Sequence, residues 1–127
     1  MDQTNILVCV TQQKNCERLI RYADELKNTL NCEELHVLHV AKTNYNFLNH
    51  EKEGEALEYL FNISKSLDAN LTVLKSDEIE KTIAAYSNEH NISHIIIGAS
   101  KETRKENQFY KVLKKLLKNT EIHIGTN

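Results

Sequence analysis

Asn5-Ile6-Leu7-Val8-Cys9-Val10-Thr11 is a continuous apolar run rich in β-branched residues, the pattern of a strand covered on both faces in a parallel sheet. A second such run, His94-Ile95-Ile96-Ile97-Gly98, lies late in the chain. These two strands, the most apolar of the sequence, are expected side by side at the centre of one sheet. Between and after them, apolar residues recur at three- and four-residue spacing. Asn15 can cap a first helix with the buried stripe Leu19, Ile20, Ala23, Leu26 and Leu30. Leu35 to Val40 reads as a second strand, Glu51 to Leu67 as a helix burying Leu57, Leu60, Phe61, Ser64 and Leu67, and Leu71 to Leu74 as a third strand. Asp77 with Glu80 forms a capping box for a third helix with the stripe Ile79, Ile83, Tyr86 and Ser87, ended by Asn91. After the Ile95–Ile97 strand a polar basic loop runs to about Asn107, a last helix buries Phe109, Val112, Leu113 and Leu116, and Ile122-His123-Ile124 closes the chain as a fifth strand. Five strands alternating with four helices predict right-handed crossovers and an α/β, three-layer, doubly wound five-stranded parallel sheet.

Composition agrees with one compact domain over residues 1–127. The chain has 127 residues, is 40% hydrophobic and 27% charged, and carries a net charge of -2, which argues against generic nucleic-acid binding. With no proline and only Gly54, Gly98 and Gly125, there is no linker, low-complexity tract or glycine-rich loop. The apolar runs are far shorter than the ~18 residues of a membrane span, and the start Met1-Asp2-Gln3-Thr4-Asn5 lacks a basic signal-peptide flank. A cytoplasmic protein without membrane contact is expected. Three cysteines, Cys9, Cys16 and Cys32, form neither a disulfide framework nor a C-x-x-C pair. Cys16 and Cys32 bracket the first helix and stand roughly 24 Å apart at 1.5 Å per residue, and Cys9 reads as a small buried hydrophobe.

In an open parallel sheet, ligands bind beyond the carboxyl ends of the strands where the winding reverses. If the first and fourth strands flank that point, the crevice is lined by Thr11-Gln12-Gln13-Lys14 and by Gly98-Ala99-Ser100-Lys101-Glu102-Thr103-Arg104-Lys105. The second segment opens a charge asymmetry. From Lys101 to Lys118 there are seven basic and two acidic residues, against nine basic and sixteen acidic in the remainder. Ser100 and Thr103 hydroxyls, Arg104 and a nearby helix N-terminus offer an anion site suited to phosphate. Lys111, Lys114, Lys115 and Lys118 read instead as the solvated face of the last helix. Thr11, Gln12, Val40, Gly98, Ser100, Thr103 and Arg104 are the candidate ligand-binding residues.

The histidines read as structural or exposed. His36 and His39, three apart on a strand, face opposite sides and cannot chelate one metal. His90 and His94 are separated by the Asn91-Ile92-Ser93 turn, so no metal site is expected. Nucleophile elbow, Walker loop and H-E-x-x-H are all missing.

The order of elements, opened by Ile6-Leu7-Val8-Cys9-Val10 and carrying Ile95-Ile96-Ile97-Gly98-Ala99-Ser100 late, resembles the universal stress protein domain over essentially the whole chain. Cys16-Glu17-Arg18-Leu19-Ile20-Arg21, and the stretch from Glu80-Lys81-Thr82-Ile83-Ala84-Ala85-Tyr86-Ser87 to Gly98-Ala99-Ser100-Lys101-Glu102-Thr103-Arg104, look like the version inside KdpD-type potassium sensor kinases. The resemblance implies a Rossmann-like, adenine nucleotide alpha hydrolase-like sheet ordered 3-2-1-4-5. It also implies dimerisation through the last strand, and adenine-nucleotide binding as in some members. Such binders carry Gly-x-x-Gly, about nine residues, then Gly-Ser or Gly-Thr after the fourth strand, and an aspartate after the first. Here only Gly98 of that set is present and Thr11-Gln12-Gln13 follows the first strand, so the small residues that let backbone amides approach a triphosphate are missing. The KdpD-like loop offers side chains instead, and cyclic di-AMP is a ligand implied by resemblance.

The expected function is therefore a small signalling or binding module that senses a nucleotide, with a homodimer and a signalling protein as partners. The alternatives are a weak ATP-binding or ATP-hydrolysing protein and a ligand-free structural homodimer. A phosphoacceptor receiver domain is argued against by Thr11 and Gln12, which stand where magnesium and phosphoryl chemistry need carboxylates.

Overall fold

A computed structural model describes residues 4–10, 16–41, 51–98 and 103–125, with side chains described for 4–10, 17–40, 57–98 and 110–124. Thr11, Gln12, Ser100, the Asn15 cap and the loop after Ala41 lie outside the described residues.

Strands and helices alternate: β1 (Asn5–Cys9), α1 (Cys16–Leu30), β2 (Glu34–Ala41), α2 (Glu51–Ser66), β3 (Asn70–Lys75), α3 (Ile79–Glu89), β4 (Ile92–Gly98), α4 (Thr103–Leu116) and β5 (Glu121–Gly125). The sheet is parallel throughout, in the order β3-β2-β1-β4-β5. The two most apolar strands are neighbours at its centre, as their composition predicts. Every residue of β1 is buried because helices cover both faces. Leu7 and Cys9 pack on one side with Ile95, Ile97, Ile83, Tyr86 and Leu113 of β4, α3 and α4. Ile6, Val8 and Val10 pack on the other with Ile96, Ile20, Ala23, Leu60 and Ile63 of β4, α1 and α2.

A register shift in the β1–β4 pairing, where Asn5 faces Ile92 but Ile6 faces His94, leaves Ser93 as an extra residue. This bulge puts Ile92 in the same layer as Ile95 and turns His94 with Ile96 toward the opposite face. With so few glycines, the chain ends α1, α2 and α3 on Asn31, Asp68 and Asn91, all at φ near 55–57°. These are residue types whose short polar side chains tolerate the left-handed region. Cys32 N–H to Lys27 O (2.9 Å) and Ala69 N–H to Ser64 O (2.8 Å) close the first two helices in the six-to-one manner of a Schellman turn.

Several expectations are corrected. Leu30 is exposed, as are Phe61 (54%) and Leu116 (42%). Ile63 and Leu117 take buried places instead, while Ile20, Ala23, Leu60, Ser64, Ile83, Tyr86, Ser87 and Leu113 are buried as read from spacing, so only the edges of the stripes differ. The N-cap of the helix before β4 is Glu78, one residue after Asp77, and its own side chain makes no cap bond, while Ser76 Oγ accepts the Glu78 N–H at 3.0 Å. Finally, α4 begins at Thr103, so the basic loop after β4 is shorter than the one predicted to reach Asn107. Among the described residues no helix is long and apolar enough to cross a membrane.

Candidate functional site

The winding of the chain reverses between β1 and β4, and the described residues at the carboxyl ends of the strands are apolar, Val10 packing on the α1/α2 side of the sheet and Val40 on the other. Val10 and Val40 are buried, at 2% and 6% exposure. Val10 N–H donates to Leu38 O at 2.9 Å, continuing the β1–β2 pairing past the strand end, and Val10 O lies 2.7 Å from Nδ1 of His39, which can donate to it. Gly98 closes β4 beside them, in register with Gly125 of β5. Its φ is not positive, so glycine is not required there by backbone conformation. A Cβ built on it would meet Leu19 Cδ2 of α1 at 3.4 Å, an ordinary contact.

Of the residues singled out from the sequence, the fold brings Val40 and Gly98 to this end of the sheet. Thr103 and Arg104 are the first two residues of α4, in the turn whose backbone N–H groups lack helical partners and whose dipole favours an anion. Four residues separate them from Gly98. Lys111, Lys114 and Lys115 of α4, and Lys118 just beyond it, are exposed, which matches the solvated-face reading. Cys9, fully buried at the end of β1, has its thiol pushed up to about 12 by desolvation, and so lacks nucleophilic character.

The amino end of the sheet is different in kind. His36 of β2 is 4% exposed and its Nδ1 lies 2.9 Å from the Tyr86 hydroxyl, which also meets Thr72 Oγ1 at 3.2 Å. Glu34 Oε1 faces His36 Nε2 at 3.8 Å, beyond hydrogen-bond range, and Nε2 is otherwise unpartnered. That carboxylate favours the proton on Nε2, which leaves Nδ1 to accept from Tyr86 O–H. Burial, partly opposed by Glu34, holds the His36 pKa below its ordinary value. His90 stacks on Tyr86 with ring centroids 4.1 Å apart, and Asn5 Nδ2 donates to His90 O at 2.7 Å.

At the same end but on the opposite face, His94 of β4 meets β5. His94 Nδ1 lies 3.2 Å from His123 Nε2 and 3.4 Å from Glu121 Oε2. Burial first, and His123 second, hold the His94 pKa low. Sequence spacing does not reveal this group, because its histidines are 29 residues apart and meet only through the β4–β5 register and the Ser93 bulge.

No protein-family model matches the chain, and no curated protein does. Solved structures do. The universal stress protein from Archaeoglobus fulgidus in complex with dAMP superposes with a TM-score of 0.65 at 19% identity, over 98% of each chain. A universal stress protein in complex with cAMP gives a TM-score of 0.66 at 10% identity, over 99% of this chain and 98% of that one. An Arabidopsis thaliana universal stress protein family protein with AMP bound gives 0.57 at 16% identity, over 97% of this chain and 89% of that one. The fold is that of the universal stress proteins. Its strand order agrees with the order that the family resemblance implies.

Proposed function

We propose that the chain is a cytoplasmic signalling module that binds an adenine nucleotide at the carboxyl ends of β1 and β4. The observation that carries this reading is the adjacency of those strands at the reversal of winding, with the apolar residues Val10, Val40 and Gly98 at the strand ends. Apolar strand ends suit a base or sugar face, and a basic helix start suits a phosphate. The dAMP, cAMP and AMP complexes of proteins sharing the fold support an adenine nucleotide over other anions. In this reading Thr11, Gln12 and Ser100 complete the lining, while Thr103 and Arg104 face the phosphate. A guanidinium can give two parallel hydrogen bonds to phosphate oxygens. The KdpD-like stretch from Gly98 to Arg104 makes cyclic di-AMP the finer alternative.

Calorimetric titration with AMP, dAMP, cAMP, ATP and cyclic di-AMP tests the reading. At least one nucleotide binds, and Arg104→Ala weakens it roughly tenfold to hundredfold, the effect of losing a charge-assisted hydrogen bond of about 1.5–3 kcal/mol. Lys114→Ala, on the exposed face of α4, leaves affinity unchanged. If no nucleotide binds, or Arg104→Ala binds as tightly as the parent chain, the basic helix start is only solvated surface.

The proposal extends to a homodimer joined along β5, an edge strand of the sheet on which Ile124 is 42% exposed, with the two strands antiparallel about a two-fold axis. Light scattering should show a dimer at micromolar concentration that Ile124→Lys dissociates. A monomeric parent chain overturns this part alone.

A further inference from the structure

The geometry points to a zinc-class divalent metal site on the α1/α2 side of the β4–β5 pair, built from His94 Nδ1, His123 Nε2 and a Glu121 carboxylate oxygen. Two observations and the geometry of zinc coordination converge on it. The three ligand atoms lie within 4.8 Å of one another. His94 Nδ1 stands 3.2 Å from His123 Nε2 and 3.4 Å from Glu121 Oε2. Zinc bonds of about 2.0–2.1 Å in tetrahedral geometry require ligand atoms about 3.3–3.4 Å apart. Two of the three edges therefore already match, and the third closes by rotation of Glu121, whose side chain is 66% exposed.

The backbone supplies the preorganisation. Glu121 is the register partner of His94, and His123 the partner of Ile96, two residues further along the same face. The Ser93 bulge sets His94 on that face, so the positions of all three Cα atoms are dictated by strand pairing rather than by loops. The His94 side chain is 16% exposed and its ring is tilted 37° to that of His123, with centroids 5.4 Å apart. The fit depends on tautomers. Two neutral imidazoles aiming lone pairs at each other across 3.2 Å repel, so without a metal one must hold a proton between them. A cation in its place is met by both lone pairs, with His94 Nε2 and His123 Nδ1 carrying the hydrogens.

The donor set of two imidazoles and one carboxylate suits zinc, and also nickel and copper, better than calcium or magnesium. Three protein ligands leave a fourth position for water or another donor. A bound ion would fasten the edge strand β5 to β4. This site is at the amino end of the sheet, opposite the nucleotide crevice, and its existence does not depend on the nucleotide reading.

Zinc titration of the full chain at pH 7.5, with a competing chromophoric chelator, tests the proposal. One ion binds per chain with micromolar or tighter affinity, and zinc in hundredfold excess over Kd raises the thermal midpoint, since it multiplies the folded-to-unfolded ratio about a hundredfold. His123→Gln lowers affinity by at least roughly 10–100-fold, the scale already lost when mere supporting groups of metal sites are removed, and it abolishes the thermal shift. Glu121→Gln, an exposed change that leaves the fold intact, weakens binding by a smaller factor. Calcium gives no shift. Absence of uptake at 100-micromolar zinc, roughly a hundred times a micromolar Kd, overturns the site. So does uptake that survives both variants and disappears on alkylation of the cysteines, which would assign the metal to thiols.

Discussion

The two ends of the same five strands differ sharply. At the carboxyl end, the described residues Val10, Val40, Ile97 and Gly98 are apolar, and the imidazole of His39 lies against a backbone carbonyl. At the amino end, the buried or half-buried polar groups gather: Asn5 on His90 O, His36 on Tyr86, Thr120 on Ile92 O, and His94 on His123. A buried polar group is costly unless paired, so a network of this kind defines the fold wherever it occurs. The lesson is a division of labour among the described residues: polar pairs tie strands and helices into register at the amino end, and apolar side chains end the strands at the other.

Three experiments bear on that division, from the largest effect to the smallest. Tyr86→Ala strikes the amino end hardest, since it removes a buried ring stacked on His90 and leaves the inward nitrogen of His36 without its hydroxyl. Urea unfolding at pH 7.5 should show a loss of about 3–5 kcal/mol, the range for deleting a buried aromatic, with an unchanged slope. A loss under about 1 kcal/mol would mean that the network is decorative.

A change of pH gives the intermediate effect. The ordinary histidine pKa is 6.5, and burial lowers that of His36 in the folded chain, where Glu34, His90 and the Tyr86 hydroxyl surround it. Above about pH 6.5 the imidazole is neutral in both states and contributes no pH dependence. As pH falls below that value, the unfolded chain takes up a proton that the folded chain resists, so stability falls. Comparison of urea midpoints at pH 7.5 and 5.5 should show this decline, and His36→Gln should make it shallower, the remainder belonging to His94, whose pKa is also held low. An equally steep decline in His36→Gln would assign the effect to other groups.

Gly98→Ala probes the carboxyl end and should barely move stability. The added methyl finds Leu19 at ordinary contact distance, and relief of backbone entropy is worth about 0.4–1 kcal/mol, so the urea midpoint stays level or rises slightly. On the proposed nucleotide reading, affinity should nevertheless drop, because Gly98 opens the segment that leads to the phosphate-facing start of α4. A stability loss with unchanged affinity would reverse the roles given to the two ends.

Much of this was readable from residues in order along the chain. The strands at Ile6–Val10 and Ile95–Ile97 declare themselves because a strand buried on both faces must be apolar at every position, and strand–helix alternation then leaves a parallel sheet as the economical arrangement. Asn91 marks its helix end through its own backbone preference. Stripe edges such as Leu116 against Leu117, or Phe61 against Ile63, were not readable, because which of two adjacent apolar residues is buried depends on how the helix rolls on its sheet. Nor was the start of α4 at Thr103, where a polar, charged first turn looks like a loop until the helix behind it is seen. The histidine–glutamate group at β4 and β5 lay furthest beyond reach. Its members become neighbours through a register and a bulge, and a one-residue slip in either would send them to opposite faces of the sheet. Local pattern decides which elements form, since it acts within a few residues. The meeting of distant side chains is settled only when the strands pair.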